Sequence, residues 1–123
     1  MMPRATITVH GSIYSPSESG IIYAQLLDEG GNPINDATVF LTLFREDNTK
    51  YIDNQQMSYI PGSSGIYKYS FTAPPGPERM IADVKCEDPV AYGTEDIYVP
   101  EWADEIRQLE EGEKPIKKAS FNL

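Results

Sequence analysis

A chain of 123 residues at 13.8 kDa is long enough for one hydrophobic core and too short for a core plus a second catalytic lobe. Its 40% apolar and 24% charged residues are values of a folded domain, and a formal charge of −9 repels the phosphates that give nucleic-acid affinity. The single cysteine, Cys86, excludes an intrachain disulfide and a thiolate zinc site, and no window approaches the ~20 apolar residues of a membrane span, so neither nucleic acid nor membrane is an expected partner.

The opening "MMPRATITVHGS" lacks the apolar run of a signal peptide, so export by that route is not expected. Ala5, Ile7 and Val9 alternate there with Arg4, Thr6, Thr8 and His10, the period of a half-buried strand. "IIYAQLL" (Ile21–Leu27) is the next predicted strand, and Asp28–Asp36 gathers Gly, Asn, Pro and Asp into a long turn. "ATVFLTLF" (Ala37–Phe44) carries Val39, Leu41 and Leu43 on one face and Phe40 and Phe44 on the other, so it reads as a central strand covered on both sides. After "REDN", short strands are expected around Lys50–Ile52 and Met57–Tyr59, with a turn at Pro61–Gly65.

Ile66–Phe71 places Tyr67, Tyr69 and Phe71 on one face against Lys68 and Ser70. "TAPPGPER", with three prolines and a glycine, has to be a loop. Met80, Ala82, Val84 and Cys86 then alternate with Ile81, Asp83 and Lys85, and "EDPVAYG" leads to a last strand around Asp96–Val99. Seven or eight short strands separated by turns predict an all-β sandwich from Met1 to Pro100.

Beyond Pro100 the period changes. Trp102, Ile106 and Leu109 recur at i, i+4 and i+7, predicting a short amphipathic helix with acidic residues early and Gly112 as its C-cap. "EKPIKKASFNL" then reads as an extended arm carrying Lys114, Lys117 and Lys118 with Ile116, Phe121 and Leu123. Residues 101–123 are therefore expected to form a helix-and-arm appendage. Trp102, Ile106, Leu109, Ile116, Phe121 and Leu123 are its candidate interface residues, whether they fold back on the sandwich or dock on a neighbouring subunit.

The stretch "LLDEGGNPINDATVFLTLF", followed by "GIYKYSFTAP" and "ADVKC", resembles bacterial Ig-like and macroglobulin-like modules, over about residues 20–99. The resemblance implies an Ig-like β-sandwich. Such modules occur as repeats in secreted surface proteins and as single domains in tailed-phage virion proteins. A single module with a helix-and-arm tail looks more like the second setting, and one cysteine fits assembly in a reducing cytoplasm. The implied role is a non-enzymatic structural part of the virion at the head, neck or tail, made in the host cytoplasm. Its implied partners are other virion proteins and copies of itself.

Enzymatic signals are lacking. His10 is the only histidine and stands in an alternating strand beside Gly11, a surface or edge position. Cys86 shares the parity of Met80, Ala82 and Val84 and is expected to be a buried small hydrophobe. Asp28, Glu29 and Asp36, with Asn32 and Asn35, offer oxygens to a hard cation. Their spacing is not that of an EF-hand, and turns favour these residue types for backbone reasons, so no metal or other cofactor is expected. Eight tyrosines raise the alternative of a carbohydrate- or receptor-binding module that stacks a surface glycan on aromatic rings. The Tyr67, Tyr69, Phe71 row is expected to be core. Tyr14, Tyr59 and Tyr92 lie near loops, as surface candidates or core caps.

Overall fold

Alternation along each strand selects the side that is buried, and in the computed structural model, which describes residues 5–101, the buried sides meet between two antiparallel sheets. The strands are β1 (Ala5–His10), β2 (Ser19–Asp28), β3 (Val39–Phe44), β4 (Lys50–Gln56), β5 (Ser58–Tyr59), β6 (Ile66–Thr72), β7 (Glu78–Glu87) and β8 (Val90–Val99). One sheet has the order β1-β2-β6-β5 and the other β4-β3-β7-β8. Hairpins join β1 to β2, β3 to β4, β5 to β6 and β7 to β8, while the remaining connections cross between sheets. This is an immunoglobulin-like sandwich arrangement.

The core is one cluster drawn from both inner faces. Ile7, Val9, Ile22, Ala24, Leu26, Tyr67 and Phe71 come from the first sheet, and Val39, Leu41, Leu43, Met80, Ala82, Val84, Cys86, Ile97 and Val99 from the second. The expected parity of Met80, Ala82, Val84 and Cys86 holds, and β3 lies centrally between β4 and β7 with Thr42 buried on its outer side. Tyr67 and Phe71 of the aromatic row are buried and Tyr69 is half-buried against the same cluster, so the row is core.

Several strand boundaries differ from the sequence expectation: β2 begins at Ser19 rather than Ile21, and of the stretch read as loop Thr72 belongs to β6 while Glu78 and Arg79 belong to β7, paired with Val99 and Tyr98. The last strand begins at Val90 rather than Asp96, because Asp88 and Pro89 form a two-residue turn and every residue from Val90 to Val99 pairs with β7. The polar run Gly93–Asp96 has little strand propensity of its own and is held by that ladder. The strand at Lys50 continues to Gln56 through an irregular register against β3, with Asn54 at φ 51°. β3 starts at Val39 instead of Ala37, since the Ala37 N–H donates to the Tyr67 hydroxyl rather than to a ladder.

The first strand changes sheets at its end. After His10 the chain bends at Gly11, whose φ of 139° suits glycine, and residues 12–14 join the other sheet. There the Tyr98 N–H donates to the Ser12 carbonyl at 2.6 Å and the Tyr14 N–H to the Tyr98 carbonyl at 3.0 Å, so Ile13 bridges Tyr98 in parallel. Beside this seam a Cβ on Gly93 would lie 2.6 Å from the Ile7 carbonyl oxygen. Only a residue without a side chain allows β1 and β8 to approach so closely.

Apart from Glu101, an exposed bend residue, the helix expected at 101–112 and the arm beyond it lie outside the described residues.

Candidate interaction face

The candidate residues Trp102, Ile106, Leu109, Ile116, Phe121 and Leu123 fall outside the described residues. Within them, the tyrosines separate clearly. The Tyr67 hydroxyl donates to the Ile34 carbonyl at 2.7 Å and accepts the Ala37 N–H at 3.0 Å, clamping the connection between β2 and β3 onto the sandwich. Burial raises the pKa of its phenol. Tyr59 packs on Tyr67 at 5.5 Å and donates to the Ser63 carbonyl within its own hairpin. Tyr14 meets the edge of Phe71 at 5.0 Å and donates to the Ile21 carbonyl at 2.8 Å. Its pKa is pushed up to about 12, by burial first and then by Tyr23 and Glu95. Tyr14 and Tyr59 are core caps, whereas Tyr92 is 62% exposed.

The other sequence candidates are occupied locally. Asp28 Oδ1 accepts the N–H groups of Gly30 and Asn32, each at 2.9 Å, and the Asn32 bond foremost holds the carboxyl below its usual range. Asn35 Oδ1 accepts the Gly65 N–H at 2.9 Å. The turn's oxygens are thus spent on backbone, and Glu29 and Asp36 point to solvent. His10 is exposed on the edge strand β1, and Cys86 is buried in the core.

What the fold does bring together is an exposed strip on the outer side of the β4-β3-β7-β8 sheet. Among the described residues four large hydrophobics are exposed, and Ile81, Val90 and Tyr92 share this face. Ladder register sets their order. Ile81 stands opposite Asp96, Asp83 opposite Thr94, Lys85 opposite Tyr92, and Glu87 opposite Val90. On the inner flank, β3 sets Phe44 beside Ile81, Thr42 beside Asp83 and Phe40 beside Lys85. Both phenylalanines are half-buried. At the far end the Arg79 guanidinium lies 4.5 Å above the Tyr98 ring.

At the centre of this face one carboxylate is incompletely paired. Asp83 Oδ1 is buried and has no hydrogen-bond partner, and neither ion pair among the described residues includes Asp83. It borders a depression of about 300 Å³ lined also by Thr42, Lys50, Asp53, Asn54 and Lys85. The Asp83 charge raises the Tyr92 phenol pKa, which places the two groups within electrostatic reach. The Asp83 carboxylate therefore faces the Tyr92 hydroxyl and shares its depression with Lys50 and Lys85, while Ile81 and the two phenylalanines stand on the same face. No group of three or more acidic, histidine or cysteine side chains among the described residues is placed to hold a metal ion.

Sequence reasoning missed Ile81 and Val90 as surface residues. The signal was present for Ile81, an isoleucine on the polar parity of β7. Val90 lay in a stretch read as loop, and no local pattern assigned it a face.

No family model and no curated protein matches the chain. Solved structures do. The CARDB domain of a Pyrococcus furiosus protein is similar at 16% identity and a TM-score of 0.54, covering 81% of this chain and 97% of that one. The filamin domain of Lin-41 is similar at 18% identity and a TM-score of 0.53, covering 79% and 97%. Both likenesses support the Ig-like β-sandwich fold.

Proposed function

We propose that this chain is a non-enzymatic protein-binding module that serves as a structural component of a phage virion. Its contact surface is the outer face of β3, β7 and β8, acting with the helix-and-arm segment. The observation that carries the binding role is the grouping of Ile81, Val90 and Tyr92 on neighbouring strands of one sheet. Exposed apolar groups gathered on one face, with charged residues around them, have the composition of a contact surface. The virion setting is supported by the resemblance of residues 20–99 to modules known there, and the charge of −9 favours partners less acidic than the chain itself.

The test follows a tagged chain through a gradient that separates assembled particles from free protein. Wild type should travel with the particles, and an Ile81→Asp/Tyr92→Ser variant with an unchanged circular dichroism spectrum should stay at the top. Wild type remaining free sinks the virion setting, and a variant that travels like wild type sinks the choice of face.

The alternative, a glycan platform, rests on Tyr92. Tyr23, the other exposed tyrosine, stands on the outer side of the opposite sheet, so the two cannot stack one sugar together.

A further inference from the structure

We infer that the chain carries a site for an uncharged pyranose, in the cleft between Asn35–Thr38 and Gln56–Tyr59. None of the residues lining this cleft belongs to the strip of Ile81, Val90 and Tyr92, so the site stands apart from the contact surface.

The cleft has a volume of about 670 Å³, within the range of small-molecule sites. Met57 is buried and Ala37 and Tyr59 are half-buried along it, which gives it an apolar floor. Both walls are held in place. On one side the Tyr67 hydroxyl bonds the Ile34 carbonyl and the Ala37 N–H, and Asn35 accepts the Gly65 N–H. On the other the Met57 N–H donates to the Val39 carbonyl at 2.7 Å, Ser58 and Tyr59 pair with Lys68 and Tyr67, and the Tyr59 ring packs on that of Tyr67. One buried tyrosine therefore supports both walls, and little ordering is left for a ligand to impose.

The chemistry of the rim selects the ligand. Its hydrogen bonds use the Asn35 amide oxygen and the Tyr59 hydroxyl, whereas among the described residues the exposed side chains of Asp36, Thr38, Gln56 and Ser58 take part in none. They present a carboxylate that accepts only, an amide, and two hydroxyls that both donate and accept. Sugar hydroxyls match that mixture, because each donates and accepts, and two neighbouring ones can share the oxygens of Asp36. The floor of Ala37, Met57 and Tyr59 suits the C–H side of the ring. No Lys, Arg or His lines the cleft, so an anion would meet only the charge of Asp36, and a lone carboxylate is a poor hold for a hard cation. A purely apolar ligand would strip water from the rim without replacing its bonds.

The experiment titrates the ¹⁵N-labelled full chain with the methyl glycosides of glucose, galactose, mannose and N-acetylglucosamine. Each is taken to about 100 mM, because a ligand of so few atoms is expected to bind in the millimolar range. At least one should shift the amides of residues 36–38 and 56–59 saturably and leave those of Thr6, Thr8 and His10 in place. Asp36→Asn should weaken that sugar by about tenfold, since the bonds lost are those to a charged acceptor. Gln56→Ala should weaken it less, and Asp83→Asn should not change it. Glucuronate, which brings a second carboxylate to Asp36, should bind more weakly than the best of the four. Absence of a saturable shift with all four overturns the inference. So do shifts centred on Tyr23 or Tyr92, glucuronate binding as tightly as the best glycoside, or an Asp36→Asn/Gln56→Ala variant with an intact spectrum and undiminished affinity. The wild-type shift pattern and the glucuronate comparison decide the matter without any variant.

Discussion

Replacing Tyr67 with Phe removes one oxygen atom and leaves the ring in place, so the packing of a side chain only 1% exposed is retained. Two backbone groups lose their partner: the Ile34 carbonyl at 2.7 Å and the Ala37 N–H at 3.0 Å, both in the connection that carries the chain from one sheet to the other. At about 1 kcal/mol for each lost bond, the expected destabilisation is about 2 kcal/mol. With a urea m-value of about 1.5 kcal/mol/M, this moves the midpoint down by about 1.3 M and leaves the slope unchanged. Tyr59→Phe is the control. It loses one bond, to the Ser63 carbonyl four residues away in the same hairpin, and should cost about 0.5–1 kcal/mol. Hydrogen exchange should speed up at Ala37 in the first variant and not in the second. A Tyr67→Phe loss no larger than that of Tyr59→Phe would refute the view that this hydroxyl anchors the crossing.

Gly93→Ala should cost about 2 kcal/mol or more, because the new Cβ meets the Ile7 backbone oxygen at 2.6 Å, and β1 amides should exchange faster. Gly31→Ala, which meets nothing within 4 Å at a φ of 84°, should show only a conformational cost of about 1 kcal/mol. Arg45 holds Glu78 through two bonds of 2.8 and 2.9 Å with a side chain 39% exposed, so Arg45→Ala should lower the urea midpoint slightly, and by less in high salt. Stability should fall as pH rises from 10 toward 12. The Tyr14 phenol keeps its proton in the fold to about 12 but loses it near 10 when unfolded, so its contribution is complete below pH 10 and gone above 12. Discounted for its partial exposure, the drop is about 1 kcal/mol, and urea titrations of Tyr14→Phe should lack it.

Much of the sandwich was legible because a half-buried strand writes its two faces into alternate residues. Ile7 and Val9, Val39, Leu41 and Leu43, Tyr67 and Phe71, and Met80, Ala82, Val84 and Cys86 all face the core as their parity required. The turn at Asp28 was legible for a related reason, since its acid and amides are the groups that hold tight backbone bends together. The contact face was far less so. Ile81 broke the alternation visibly, but Val90, Asp83 and Tyr92 acquire a shared surface only through pairing between β7 and β8, and with β3 beyond.

By itself, then, the amino-acid sequence determined the class of fold, the positions of most strands and the identity of the inner faces, all of which depend on neighbours two to five residues apart. Tertiary structure alone decided the rest. It extended β8 over Gly93–Asp96, moved Ser12–Tyr14 across to the second sheet, turned Tyr14 and Tyr59 into caps and left Tyr92 exposed. Each of these outcomes rests on hydrogen bonds or close approaches between segments far apart in the chain, where the local residue pattern gives no preference and a partner's backbone supplies it.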